Sequence, residues 1–81
     1  MEKEIKYLTQ SVERALVILE MLAENKDGMG VTELSRKLNL QKSTVHRLLN
    51  TLRSRNFAQQ DLKTEKYTIG WKIFQIKKRF F

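Results

Sequence analysis

Two apolar periodicities separated only by an Asn-Leu dipeptide constrain this chain more than any other feature. In "VTELSRKLNLQKSTVHRLLNTL", residues 31–52, Leu34 and Leu38 recur one helical turn apart. After Asn39 and Leu40, the side chains of Val45, Leu48, Leu49 and Leu52 fall within one arc at about 100° per residue. Thr32 is placed to cap the first of these helices, and Glu33 sits in its first turn, where a carboxylate favours the helix dipole. Asn39 tolerates the left-handed conformation of a tight turn, and Leu40 serves as that turn's apolar plug. The later helix is expected from about Gln41 to about Arg55. A short helix, a three- or four-residue turn and a second helix form a helix-turn-helix.

The flanks complete a small domain. Residues 1–10 carry no strong period and read as an N-terminal arm. Ser11 is placed as the N-cap of a helix in which Val12, Ala15, Leu16, Leu19, Leu22 and Ala23 share one face. Ile18 and Met21 widen that apolar arc, which implies a second packing surface, and "NKDGMG" ends the helix. Beyond the helix-turn-helix, "NFAQQ" and "KYTIG" read as two short strands around "DLKTE", a wing that carries Lys63 in its loop and Lys66 at its edge. The segment "WKIFQIKKRFF" is helical by period, with Ile73, Phe74, Ile76, Phe80 and Phe81 roughly on one side. The expected class is mainly α with a small β-hairpin: a winged helix-turn-helix with a three-helix core, a two-stranded wing and a C-terminal linker helix. Its boundaries are an arm at 1–10, the winged domain at 11–70 and the linker or dimerisation helix at 71–81.

Composition removes whole classes of chemistry. The chain has no cysteine and a single histidine, His46, so neither a disulfide nor a zinc-type ligand set is expected. Ser43 and His46 lie three apart on one helix, but no third group or oxyanion hole accompanies them, so no enzyme and no cofactor is expected. The N-terminus has no apolar core of a leader peptide, and no apolar run approaches membrane-spanning length; the expected location is the cytoplasm.

The polar side of the Gln41–Arg55 helix is the informative one. Ser43, Arg47, Asn50 and Ser54 lie opposite the leucines, flanked by His46 and Thr51. Arg reads guanine edges bidentately, Asn and Gln read adenine, and Ser and Thr reach bases or phosphate oxygens. No Asp or Glu occurs from 41 to 60, as a surface laid against phosphates requires. Net charge follows the same division. Residues 1–30 carry four Lys/Arg against six Asp/Glu, a net of −2, whereas residues 31–81 carry twelve against three, a net of +9, giving the +7 of the whole chain. One basic half suits a polyanion.

Three runs, "SVERALVILEML", "VTELSRKLNLQKSTVHRLLNTL" and "KYTIGWKIFQI", together resemble the N-terminal DNA-binding domain of the IclR family of bacterial transcriptional regulators. The resemblance extends from about residue 10 to about residue 76 and is most specific from Leu40 to Leu52. It implies a winged helix-turn-helix that binds operator DNA as a dimer. It also implies a larger C-terminal effector-binding domain, for which 81 residues leave no room. One departure is Gln41, where family members often have Pro before the Lys-Ser-Thr; a pre-set helix start is exchanged for a base-reading amide.

The expected DNA contacts are Thr32, Gln41, Lys42, Ser43, Thr44, His46, Arg47, Asn50, Lys63 and Lys66, with Lys42 and the wing lysines suited to phosphate. The expected dimer surface comprises Ile18, Met21, Trp71, Ile73, Phe74, Phe80 and Phe81. The expected partners are double-stranded operator DNA and a second copy of the chain, with no membrane. An effector would enter only through a further C-terminal domain. The competing reading is a winged helix that binds protein alone, which calls for an apolar or acidic outer face on the 41–55 helix.

Overall fold

The structure is a computed structural model that describes residues 5–80. In chain order it contains α1 (Gln10–Glu24), α2 (Val31–Leu38), α3 (Lys42–Ser54), β1 (Ala58–Gln60), β2 (Tyr67–Ile69) and α4 (Lys72–Phe80). The first three helices and the hairpin enclose one core: Ile18 and Leu22 from α1, Met29, Leu34 from α2, Val45, Leu49 and Leu52 from α3, Ala58 and Tyr67. α1 and α3 contribute residues spaced by three or four, which is the stripe an amphipathic helix turns inward.

The rotation of α1 differs from the sequence expectation. Ile18 is 0% exposed and Met21 packs against the core, whereas Val12 and Leu16 are 56% and 55% exposed. Ile18, expected at a dimer surface, is therefore enclosed by its own domain and is unavailable to a partner; Met21 is half-buried in the same packing. The apolar arc of α1 is wide enough for two equally periodic stripes, and the shape of α2, α3 and Tyr67 selects between them. The start of α1 also moves. Thr9, in an extended conformation, is the N-cap in place of Ser11, its carbonyl accepting the Glu13 N–H at 3.0 Å.

Likewise α2 begins at Val31 after a Gly30 N-cap, so Thr32 lies exposed inside the first turn instead of capping it. The cause is upstream. Met29 is paired antiparallel with Tyr67, exchanging N–H···O bonds of 2.9 and 2.8 Å, and the chain turns into the helix directly afterwards. The turn between α2 and α3 is as expected: Asn39 is left-handed (φ 56°, ψ 47°) and Leu40 packs on the core. Leu40 is bound at both ends to Ser35, donating its N–H to the Ser35 carbonyl at 3.0 Å and accepting the Ser35 hydroxyl at its own carbonyl.

The wing strands are shorter than the patterns suggested. They pair Ala58 with Ile69, Gln59 with Thr68 and Gln60 with Tyr67. Asn56, at φ 67°, ends α3 and releases Phe57 to donate its N–H back to the Leu52 carbonyl at 2.8 Å. Gly70 is pressed against this corner: its N–H meets the Phe57 carbonyl at 2.9 Å. A Cβ there would stand 2.3 Å from the Asn56 carbonyl oxygen and 2.9 Å from the Ala58 nitrogen. Helix α4 leaves from this point with no fully buried residue; Phe81, expected on its apolar side, lies outside the described residues.

Because the obstacle at Gly70 is backbone, it cannot rotate away. Gly70→Ala is expected to destabilise the domain by about 1–3 kcal/mol or more through overpacking, read as a lower urea midpoint at unchanged m-value.

Candidate nucleic-acid interface

Burial of Val45, Leu49 and Leu52 fixes the rotation of α3 and so decides which side chains it presents. Lys42, Ser43, His46, Arg47 and Asn50 are all exposed, as is Gln41 at the N-cap. Gln41 adopts φ −67° and ψ 147°, close to the backbone a proline would impose, and its carbonyl receives the Val45 N–H at 3.1 Å. No side chain caps this end and no acidic residue lies in the first turn. The positive end of the helix dipole therefore faces outward uncompensated, where a phosphate oxygen is stabilised.

Thr44 is set apart from these: it is half-buried and, with Arg47, Leu48 and Thr51, lines a groove between α3 and α1 of about 540 Å³. Arg14 of α1 lines the same groove, so two guanidinium groups border it. Further along, the Thr51 hydroxyl donates to the Arg47 carbonyl at 2.9 Å and the Ser54 hydroxyl to the Thr51 carbonyl at 2.6 Å, both turned back onto the helix. Thr32 is exposed on α2, and no hydrogen bond or salt bridge among the described residues ties it to the α3 surface. The only salt bridge among those residues is the exposed Lys37–Glu33 pair of α2 at 3.8 Å, of a kind that contributes little.

The wing turn is more ordered than a lysine-bearing loop needs to be. The Asp61 carboxylate accepts the N–H groups of Lys63 at 2.8 Å and Thr64 at 3.2 Å, an Asx-type turn. Its backbone closes the loop twice, accepting from Glu65 at 2.7 Å and donating to the Lys66 carbonyl at 2.9 Å. Glu65 takes φ 65°, and the Thr64 hydroxyl accepts the Lys66 N–H at 3.2 Å. Asp61 is thus committed to the backbone, and Lys63 and Lys66 stand exposed without a salt-bridge partner among the described residues.

Arg53 was not among the expected contacts. It is exposed in the last turn of α3 and donates from its guanidinium to the Gln60 side-chain oxygen at 3.0 Å. A signal existed: Lys42, His46 and Arg53 recur at spacings of four and seven, which places them along one side of the helix. Among the described residues no group of His, Cys, Asp or Glu side chains is assembled that could hold a metal, and no helix is long and apolar enough to cross a membrane.

A polar, acid-free helix held outward by a three-helix core and followed by a two-stranded hairpin that exposes Lys63 and Lys66 defines a winged helix-turn-helix DNA-binding domain. Comparison with known proteins agrees. The chain belongs to the IclR family of transcriptional regulators, whose family model, the IclR helix-turn-helix domain, matches residues 11–62. The Escherichia coli HTH-type transcriptional regulator XynR is 38% identical over 68 residues, which cover 84% of this chain and 27% of that protein. The transcriptional repressor IclR of Escherichia coli is 35% identical over 71 residues, covering 88% of this chain and 26% of the repressor. Among solved structures, an IclR transcriptional regulator from Alicyclobacillus acidocaldarius superposes with a TM-score of 0.85 at 28% identity, over 90% of this chain and 30% of that one. The chain spans about a quarter of the length of the curated relatives it matches.

The outer and inner faces of α3 are separable by mutation. Arg47→Ala is expected to reduce affinity for a selected duplex by at least about tenfold, the scale of a lost base or phosphate contact, with native circular dichroism. Leu48, the natural choice for a core control from spacing, is only half-buried and lines the groove with α1; Leu49 is fully enclosed. Leu49→Ala should therefore cost about 2–5 kcal/mol of stability. An Arg47→Ala protein that binds duplex as well as wild type would show that α3 does not present the DNA-contacting surface.

Proposed function

We propose that this domain binds double-stranded operator DNA sequence-specifically as the DNA-reading part of a transcriptional repressor. Helix α3 lies in the major groove, and the wing rests on the backbone or in the adjacent minor groove. The observation that carries the reading is the outer face of α3, on which Gln41, Lys42, Ser43, His46, Arg47 and Asn50 are exposed together with no acidic residue among them. Gln41 and Ser43, at the N-terminal end of the helix, reach the groove floor with Arg47, while Lys42, Lys63 and Lys66 hold phosphates. The role is binding rather than catalysis, exercised in the cytoplasm. An effector acts only through a further C-terminal domain of the kind that relatives about three times this length have room for.

The functional division we propose is an arm at 1–10, of which Gln10 already belongs to α1, the winged domain at 11–70, and a linker and dimerisation segment at 71–81. The domain works as a symmetric dimer. With Ile18 and Met21 committed to the core, the exposed apolar side chains available to a partner are Leu8, Val12 and Leu16 on and before α1, and Trp71, Phe74 and Phe80 around α4. Apolar side chains that recur at helical spacing on an exposed face suit an interaction surface, and a two-fold dimer requires a pseudo-palindromic site.

Selection of bound sites from random duplexes is the direct test. A recurrent pseudo-palindrome is expected, and recovery of no preferred sequence would overturn specific reading. Sedimentation on the selected duplex should give two chains per site; a single chain at high concentration, free and on DNA, would overturn the dimer. For the wing, Lys63→Ala and Lys66→Ala should weaken all duplexes about equally. Each should lower the slope of log affinity against log salt by about one, because a phosphate contact releases counterions but carries no base information.

A further inference from the structure

A hairpin with three-residue strands is marginal by itself, yet this wing has to deliver its lysines to a fixed place relative to α3. The internal bonds of the Asp61–Lys66 turn give it a shape but not a position. Ala58, Tyr67 and the Met29–Tyr67 pairing anchor the base of the hairpin to the core, and on the α3 side the turn is held by Gln60, the last residue of β1. Strand alternation puts Gln60 on the same face as buried Ala58, the face that packs toward α3. Its side-chain oxygen accepts from the Arg53 guanidinium at 3.0 Å, and its side-chain nitrogen donates to the Glu65 carbonyl at 3.2 Å. One amide thus joins the last turn of the recognition helix to the far side of the wing turn. Among the described residues, it makes the side-chain hydrogen bond that connects α3 with the hairpin.

We propose that Arg53 and Gln60 form a clasp that holds the wing in register with α3 for DNA binding; this rests on the proposed binding of duplex by both elements. The clasp makes Gln60 a positioning residue for Lys63 and Lys66. The neutral acceptor matters: it orients the Arg53 guanidinium without cancelling its charge, which a carboxylate at position 60 would do, so Arg53 keeps donors and charge for a phosphate. Being exposed, these bonds add little to folding stability. Their effect is to reduce the ordering that the wing must undergo on DNA, the usual gain from preorganisation.

The test combines binding and amide exchange on the intact chain. Wild type, Gln60→Ala, Lys63→Ala and the double variant are titrated against a fluorescein-labelled mixed-sequence duplex at several salt concentrations. Gln60→Ala, which removes no charge, is expected to weaken binding by a factor similar to Lys63→Ala and to lower the salt slope by about one. The double variant should be little weaker than either single one, since Lys63 is already misplaced without the clasp. In the free protein, amide exchange at Lys63, Thr64 and Lys66 should accelerate in Gln60→Ala. It should accelerate equally in Gln60→Glu, which retains the Arg53 partner but cannot donate to the Glu65 carbonyl, while Val45–Leu52 stays unchanged. Additive losses from Gln60→Ala and Lys63→Ala, or wing amides indifferent to both Gln60 variants, would overturn the clasp alone. A wild-type chain that binds no duplex at all would overturn the DNA reading, and the clasp's role with it.

Discussion

The inward stripe of α3 is the constraint on which the rest depends. Val45, Leu49 and Leu52 fill the space between α1, α2 and β1, and Leu48 packs at the edge of the same stripe. A rotation of one residue, about 100°, would expose part of that stripe and bury charged or amide groups without partners. The same packing that stabilises the domain therefore aims Ser43, Arg47 and Asn50 outward. The side chains of Ser43, Arg47 and Asn50 are exposed there and contribute nothing to the core.

Around this stripe, loops do much of the positioning. Asn39 accepts a left-handed backbone so that Leu40 can fold in between α2 and α3. Asn56 does the same at the end of α3, and the chain there passes so close to Gly70 that no side chain fits. Met29 and Tyr67 close the circuit by backbone pairing, connecting the segment before α2 to the second wing strand. The wing is thereby attached to the core on one edge through Tyr67 and to α3 on the other through Gln60.

The legibility of these features in the sequence was uneven, for a physical reason. α3 was readable because its apolar arc is narrow and faces a polar arc, so period set its orientation to within a residue, although it did not separate Leu48 from Leu49 or set Thr44 apart from its neighbours. α1 was not, because Ala15, Leu16, Ile18, Leu19, Met21 and Leu22 leave nearly every rotation apolar. Capping chemistry misled in a similar way: Ser11 and Thr32 are good N-caps in isolation, but Thr9 and Gly30 hold those positions because neighbouring contacts fix where the chain enters each helix.

From its amino acids alone, then, the chain determined its class: four helical periods, a hairpin, a helix-turn-helix with Asn39 at its turn, and an acid-free outer face on α3. These are local properties, set by spacing, backbone preference and charge, and each is complete within a few turns of chain. Tertiary structure decided the rest: which stripe of α1 is core, that Thr44 turns toward a groove while its neighbours stay exposed, and that Arg53 and Gln60, seven residues apart, meet across α3 and β1. Such choices compare alternatives of nearly equal local energy, and only the shape of the partner surface, brought together by folding, makes one of them lower.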